Sequence, residues 1–135
     1  NSVCKLIKDY LVQQKPDLII SVIPFVNSEI LRAAQELNIP FVLIPPDLDA
    51  TNFFLNMKDC SYNSFWVIIA FNDAAIKKIA LDAGIPEGKI LVGGFPIRKS
   101  FFEQKDIRAI KKQYDIPEEK PVVFVLMGAA GSNGM

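Results

Sequence analysis

Lys89-Ile90-Leu91-Val92-Gly93-Gly94-Phe95-Pro96-Ile97-Arg98-Lys99-Ser100-Phe101 is the stretch that decides the fold. Its short apolar run, Lys89–Val92, stops at two glycines, the pattern of a parallel strand whose backbone comes close to something where the strand ends. The arrangement recurs about a helix later, where Val122-Val123-Phe124-Val125-Leu126-Met127 runs into Gly128-Ala129-Ala130-Gly131-Ser132-Asn133-Gly134. Strands ending in small residues point to a phosphate or sugar site. The chain begins at Asn1 and stops at Met135, inside the second loop, so a piece of a longer protein is expected.

Working outward, apolar Val3, Leu6, Ile7, Tyr10 and Leu11 recur at helical spacing and Pro16 blocks continuation, predicting a helix over 2–14. Leu18–Ile23 is nearly continuous in apolar residues, as in a parallel strand covered on both faces. Asn27 or Ser28 then suits the cap of a helix with Ile30, Leu31, Ala34 and Leu37 on one face. Phe41–Ile44 reads as a short strand stopped by Pro45-Pro46, and 47–64, with Asp47, Asp49, Asn52, Asn56, Asp59 and Asn63, as the longest loop. Phe65–Phe71 returns to strand, and Asn72 or Asp73 would cap a helix turning Ala75, Ile76, Ile79, Ala80 and Ala83 inward, ended by a left-handed Gly84. Ser100-Phe101-Phe102-Glu103 fits a capping box and Asp106 a second cap, ahead of a helix near 101–114 carrying Ile107, Ile110 and Tyr114.

Three helices share one exit: Asn38-Ile39-Pro40, Gly84-Ile85-Pro86 and Asp115-Ile116-Pro117. Proline cannot continue the helix and the isoleucine can plug its end. Strands alternating with helices imply right-handed crossovers and an α/β, Rossmann-like, mainly parallel sheet. Strands are expected near 18–23, 41–44, 66–70, 89–92 and 122–127, the last in a different sheet, because polar, lysine-rich 98–120 reads as a connection between lobes.

Composition narrows the function. The 135 residues are half hydrophobic and 22% charged, as in a globular protein, and 15 Lys plus Arg balance 15 Asp plus Glu, which gives no argument for nucleic acid. The longest apolar runs are too short to span a bilayer, and Lys5, Lys8 and Asp9 interrupt any signal-peptide core. With no histidine, a Ser-His-Asp triad, a Cys-His pair and a histidine-ligated zinc site cannot be assembled from these residues. Cys4 and Cys60 lack metal-ligand spacing and read as reduced, buried thiols of a cytosolic protein.

Pro16-Asp17-Leu18-Ile19-Ile20-Ser21-Val22-Ile23-Pro24, Ile39-Pro40-Phe41-Val42, Pro46-Asp47-Leu48, Gly94-Phe95-Pro96-Ile97-Arg98-Lys99-Ser100-Phe101 and Leu126-Met127-Gly128 follow one another in an order that resembles the monogalactosyldiacylglycerol synthases and bacterial diacylglycerol glycosyltransferases. Gly94–Phe101 is the most specific part. The resemblance implies the two-lobed GT-B fold, shared with the peptidoglycan lipid-intermediate N-acetylglucosamine transferase, with the substrate cleft between lobes. Residues 1–100 would be the later part of the N-terminal, acceptor-side lobe and 101–135 the crossover and start of the donor-side lobe. It implies transfer of a hexose from a UDP-sugar, as donor substrate and without a further cofactor or metal, to the hydroxyl of diacylglycerol or a similar lipid. It also implies cytoplasmic location with peripheral membrane association. Two departures stand out: Ile23-Pro24 occupies the place of His-Pro in many relatives, and Ala129-Ala130 falls where relatives are richer in glycine.

The candidate site residues follow. Asp47, matching the aspartate of the family's Thr-Asp-Leu motif, either takes part in acceptor binding or proton removal or caps the turn after Pro45-Pro46. Gly93, Gly94 and Pro96 would line the substrate cleft or simply end a strand, with Phe95 packed in the core. Gly128, Gly131, Ser132, Asn133 and Gly134 would approach the diphosphate or form an ordinary turn. Phe53, Phe54 and Leu55 would touch an acyl chain or anchor their loop, and Lys105, Arg108, Lys111 and Lys112 would attract anionic lipid or, the better reading, form a solvated helix face. The alternatives are a GT-B transferase with another acceptor and a non-catalytic sugar-binding domain of the periplasmic-binding-protein type, in which Gly94–Ser100 has no natural place.

Overall fold

Three helix ends are built alike. At Asn38, Gly84 and Asp115 the backbone turns left-handed, with φ of 56°, 84° and 53°. The next isoleucine donates its N–H back into the helix: Ile39 to Ala34 O at 2.8 Å, Ile85 to Ala80 O at 3.2 Å, and Ile116 to Lys111 O at 2.9 Å. This Schellman closure satisfies carbonyls the helix leaves open, and it fixes where the chain turns toward the next element. Ile85 is buried, and Ile39 and Ile116 are partly so, which makes them the plugs the sequence suggests.

The computed structural model describes residues 2–47, 49–58, 60–71 and 74–125. The chain divides into two units, Asn1–Ile97 and Arg98–Met135. The first runs α1 (Ser2–Gln14), β1 (Ile19–Ser21), α2 (Asn27–Leu37), β2 (Phe41–Leu43), a 3-10 turn (Thr51–Phe53), β3 (Phe65–Ile69), α3 (Ala74–Asp82), a second 3-10 turn (Glu87–Lys89) and β4 (Ile90–Val92). The second holds a 3-10 turn (Lys99–Phe101) and α4 (Ile107–Gln113).

The four strands form one parallel sheet in the order β1-β2-β3-β4. Each strand is added to the same side of its predecessor, so right-handed crossovers bring α2, the 44–64 connection and α3 to one face. That face is the core: Phe41, Leu43, Phe65, Val67 and Ile69 are buried with Leu31, Ala34, Ala80 and Ile85. Phe41 stacks on Phe65 with centroids 5.4 Å apart. The opposite face carries Ile20, Val42 and Trp66 in register and Ile68 beside Leu91, all exposed or half-buried. Leu18–Ile23 is therefore covered on one face among the described residues and not on both as expected, because every crossover lies on the same side.

Other expectations need correction. Neither Asn27 nor Ser28 caps α2: Val26 holds the flanking position, Asn27 is already helical, and the Ser28 hydroxyl donates to Glu29 at 2.6 Å. Ala75 is exposed whereas Ile76 and Ala80 of the same helix are buried, and the cap expected at Asn72 or Asp73 lies outside the described residues. Ser100 opens no helix; Lys99–Phe101 is a 3-10 turn, and Asp106 is the cap of α4, accepting from Arg108 N at 2.9 Å and Ala109 N at 3.3 Å. Val122–Val125 is not a strand. Strand geometry needs a hydrogen-bonded neighbour, and Val123 and Phe124 are each 84% exposed, without a packed sheet around them.

α1 and α2 are joined by Lys8 Nζ, 2.8 Å from Glu36 Oε2, with Arg32 Nε 3.3 Å from the other oxygen. The hydrogen bond and charge of Lys8 hold the Glu36 carboxyl below its ordinary value, and Glu36 raises Lys8 in return. A depressed carboxylate stabilises above its unfolded pKa, near 4.5, and loses that contribution as pH falls through the folded value. A raised lysine stabilises below 10.5 and loses its contribution as pH climbs through its folded value. Glu36→Gln is expected to flatten the acid limb of thermal stability between about pH 3 and 6 while leaving its shape near neutrality unchanged. Melting curves across that range check it. An acid limb as steep as the parent's assigns the acid sensitivity to other carboxylates.

Candidate functional site

Parallel sheets place ligands beyond the carboxyl ends of their strands, since the loops there are free of the ladder and the helix N-termini point toward them. In the first unit these are the segments after Ser21, Leu43, Ile69 and Val92.

After β1, residues 22–26 turn sharply into α2. The turn is held by Asn27, which is buried and uses its whole amide: Oδ1 accepts from the Ser21 hydroxyl at 2.6 Å, and Nδ2 donates to Ile23 O at 2.8 Å and Phe53 O at 3.0 Å. Val22, Ile23 and Phe25 stay exposed.

After β2, Pro45-Pro46 leads to Asp47, which is exposed and has no hydrogen-bond partner among the described residues. The local turn is made by Asp49, whose Oδ1 accepts from Thr51 N at 3.0 Å. The side-chain and backbone hydrogen bonds of Thr51 hold the Asp49 carboxyl below its ordinary value. Two aspartates a residue apart are thus separated by role. Phe53 and Phe54 are 2% and 4% exposed, within the core, so of the apolar trio only Leu55 faces outward. The 3-10 turn Thr51–Phe53, closed by Phe54, carries both rings nearly out of solvent.

After β3 and β4, the rings of Phe71 and Phe95 stack with centroids 6.1 Å apart and planes 24° from parallel. They are 44% and 40% exposed, so Phe95 is not a core residue as its position beside β4 suggests. Gly93 continues the ladder by donating to Ile69 O at 3.0 Å, and a Cβ there would run into Ile68 Cγ2. Gly94 has φ +86°. Both glycines are therefore required by the strand end itself, and Pro96 lies exposed beside them. The other predicted substrate contacts, Gly128, Gly131, Ser132, Asn133 and Gly134, lie outside the described residues, as do Leu126 and Met127.

In the second unit Lys105, Arg108 and Lys112 are exposed and Lys111 is half-buried, the solvated helix face that the sequence suggests. Arg108 pairs with Glu118 at 2.6 Å, and Lys111 Nζ donates to Glu118 O at 2.6 Å and Lys120 O at 2.7 Å. These contacts tie α4 to the turn that follows it, leaving Lys105 and Lys112 to solvent.

Among the described residues no cluster of three or more His, Cys, Asp or Glu could hold a metal ion. No helix among them is long and apolar enough to cross a membrane.

The edge gathers a carboxylate without a hydrogen-bond partner among the described residues, a stacked aromatic pair and a turn with exposed apolar side chains. The open parallel sheet with its helices is an α/β, Rossmann-like fold, in which this edge is where ligands are placed. No family model matches the chain. Over 130 residues, 96% of its length, it is 25% identical to the processive diacylglycerol beta-glucosyltransferase of Bacillus cytotoxicus, of which that match covers 32%. Over 121 residues, 90% of the chain and 29% of the relative, it is 31% identical to the protein of the same name from Staphylococcus haemolyticus. The resemblance to the diacylglycerol glycosyltransferases is thus shown along nearly the whole chain, which spans about a third of the length of these curated relatives.

Sequence reasoning missed Phe25 and the Phe71–Phe95 pair. An aromatic residue in the short turn between a strand's carboxyl end and the next helix is the signal that finds Phe25. Phe71 and Phe95 come together only through the β3–β4 crossover, and nothing local marks the pair.

Proposed function

We propose that this chain supplies the acceptor-side lobe of a GT-B enzyme that transfers a hexose from a UDP-sugar to the hydroxyl of diacylglycerol or a similar lipid. The observation that carries the reading is the composition of the carboxyl edge. An acceptor of this kind presents one hydroxyl beside long hydrocarbon. Asp47, exposed and without a hydrogen-bond partner among the described residues, is suited to receive the hydroxyl proton, and the half-exposed Phe71 and Phe95 rings after the neighbouring strands suit the hydrocarbon. The donor is a substrate and no further cofactor or metal is invoked. The longer protein works at the membrane surface as a peripheral enzyme on the cytoplasmic side. Glycine-rich residues 128–134 would begin the donor-side lobe and approach the diphosphate.

Turnover requires donor and acceptor to be held together, and proximity supplies much of the rate. The 135-residue chain alone is expected to move no labelled hexose from UDP-hexose into a diacylglycerol lipid fraction, while a longer chain containing it does. Label in the lipid with the longer chain supports the reading. Its absence there, with the protein folded and lipid dispersed, overturns it, and turnover by the 135 residues alone overturns the division into lobes.

A further inference from the structure

Of the left-handed non-glycine residues described, Lys15, Asn38 and Asp115 close helices and Asn56 is of a type that tolerates the conformation; Phe25, at φ +76°, is the bulky exception. Its ring does not explain its presence, because it is 63% exposed. The turn is held by other groups: Phe25 N donates to Asn52 O at 3.0 Å, Val26 N to Pro24 O at 3.1 Å, and Asn27 Nδ2 to Ile23 O at 2.8 Å. Glycine would serve this backbone with less strain. The fold therefore holds a large ring outward, in an unfavourable conformation, on a rigid mount.

The surroundings state what the ring meets. Residues 22–26 are Val, Ile, Pro, Phe and Val, with no donor, acceptor or charge on any side chain, so a sugar or phosphate would find no side-chain hydrogen-bond partner on this turn. Hydrocarbon needs none. The turn leaves the strand next to the one that leads to Asp47. Resting on the lipid-acceptor reading above, we propose that Phe25 is an acyl-contacting, specificity-determining residue: its ring enters the hydrocarbon of a diacylglycerol acceptor in the membrane surface, with Asn27 as the positioning residue that fixes its mount.

The test uses the 135-residue chain and vesicles of phosphatidylcholine with and without diacylglycerol, with binding read by co-sedimentation and folding by melting temperature. The parent chain is expected to bind the diacylglycerol vesicles more strongly than phosphatidylcholine alone. Phe25→Gly is expected to weaken that binding about tenfold or more, the effect of losing one buried aromatic side chain, with a melting temperature equal to or above the parent's. Phe25→Trp should restore binding. Ile20→Ser, on the open face of the sheet, should leave the diacylglycerol preference intact. Undiminished binding by a folded Phe25→Gly variant, a fall in its melting temperature, or loss of the preference in Ile20→Ser instead overturns the assignment of Phe25 alone. A parent chain with no preference for diacylglycerol overturns the lipid-acceptor reading, and this inference with it.

Discussion

Asn27→Ala is expected to destabilise the first unit by about 2–4 kcal/mol, since it leaves buried or partly buried partners without hydrogen bonds and opens a small void. The Ser21 hydroxyl loses its acceptor, and the carbonyls of Ile23 and Phe53 lose their donor. One amide joins the end of β1, the turn after it and the 3-10 turn of the long connection, so all three should loosen together. Urea denaturation measures the loss. The double variant Ser21→Ala/Asn27→Ala should cost less than the sum of the single changes, because a hydroxyl that is gone needs no partner. A loss below about 0.5 kcal/mol, the size usual for surface substitutions, would show that water replaces the amide and that the turn is not built on it.

Asp47→Asn is expected to lower turnover on the order of 10²-fold or more in a longer, active chain containing these residues, if its carboxylate takes the acceptor proton. The amide keeps the shape and removes the basicity. Asp49→Asn is the control, since Asp49 spends its carboxylate on the Thr51 turn. It should weaken the loop with little effect on the chemical step. Transfer of label from UDP-hexose to diacylglycerol at saturating donor gives the comparison. Unchanged turnover in a folded Asp47→Asn variant returns Asp47 to an ordinary exposed turn residue.

The strands were legible because buried parallel strands leave short apolar runs, and each of the four lies within the stretch expected for it. The helix exits were legible for a local reason: the left-handed residue, the isoleucine and the proline are consecutive. The open face of the sheet was not, because an apolar run reports burial potential and not which side lacks a cover. Asn27 looked like a cap since asparagine at a helix start is usually one; a shift of one residue turns it inward to Ser21 and Phe53. Phe53 and Phe54 sit in a loop without periodicity, so nothing in the order of residues says which aromatic side chains go under it. Asp47 was nominated through family likeness, and its separation from Asp49 needed coordinates, because both stand in similar polar surroundings in the sequence.

The shared helix exits bear on which changes of length the chain tolerates. Between the left-handed Asn38 and β2 there are only Ile39 and Pro40, and between Gly84 and the turn that feeds β4 only Ile85 and Pro86. With no slack there, one inserted residue at the first exit would exchange the two sides of β2, sending Val42 into the core and Phe41 and Leu43 out. The 44–64 connection has no such rigid exit, and its loop tips are the places where added residues cost mainly closure entropy. Length variation among natural versions of this unit should therefore collect in that connection, beside Asp47, where it can reshape the surface at the carboxyl edge without disturbing the sheet.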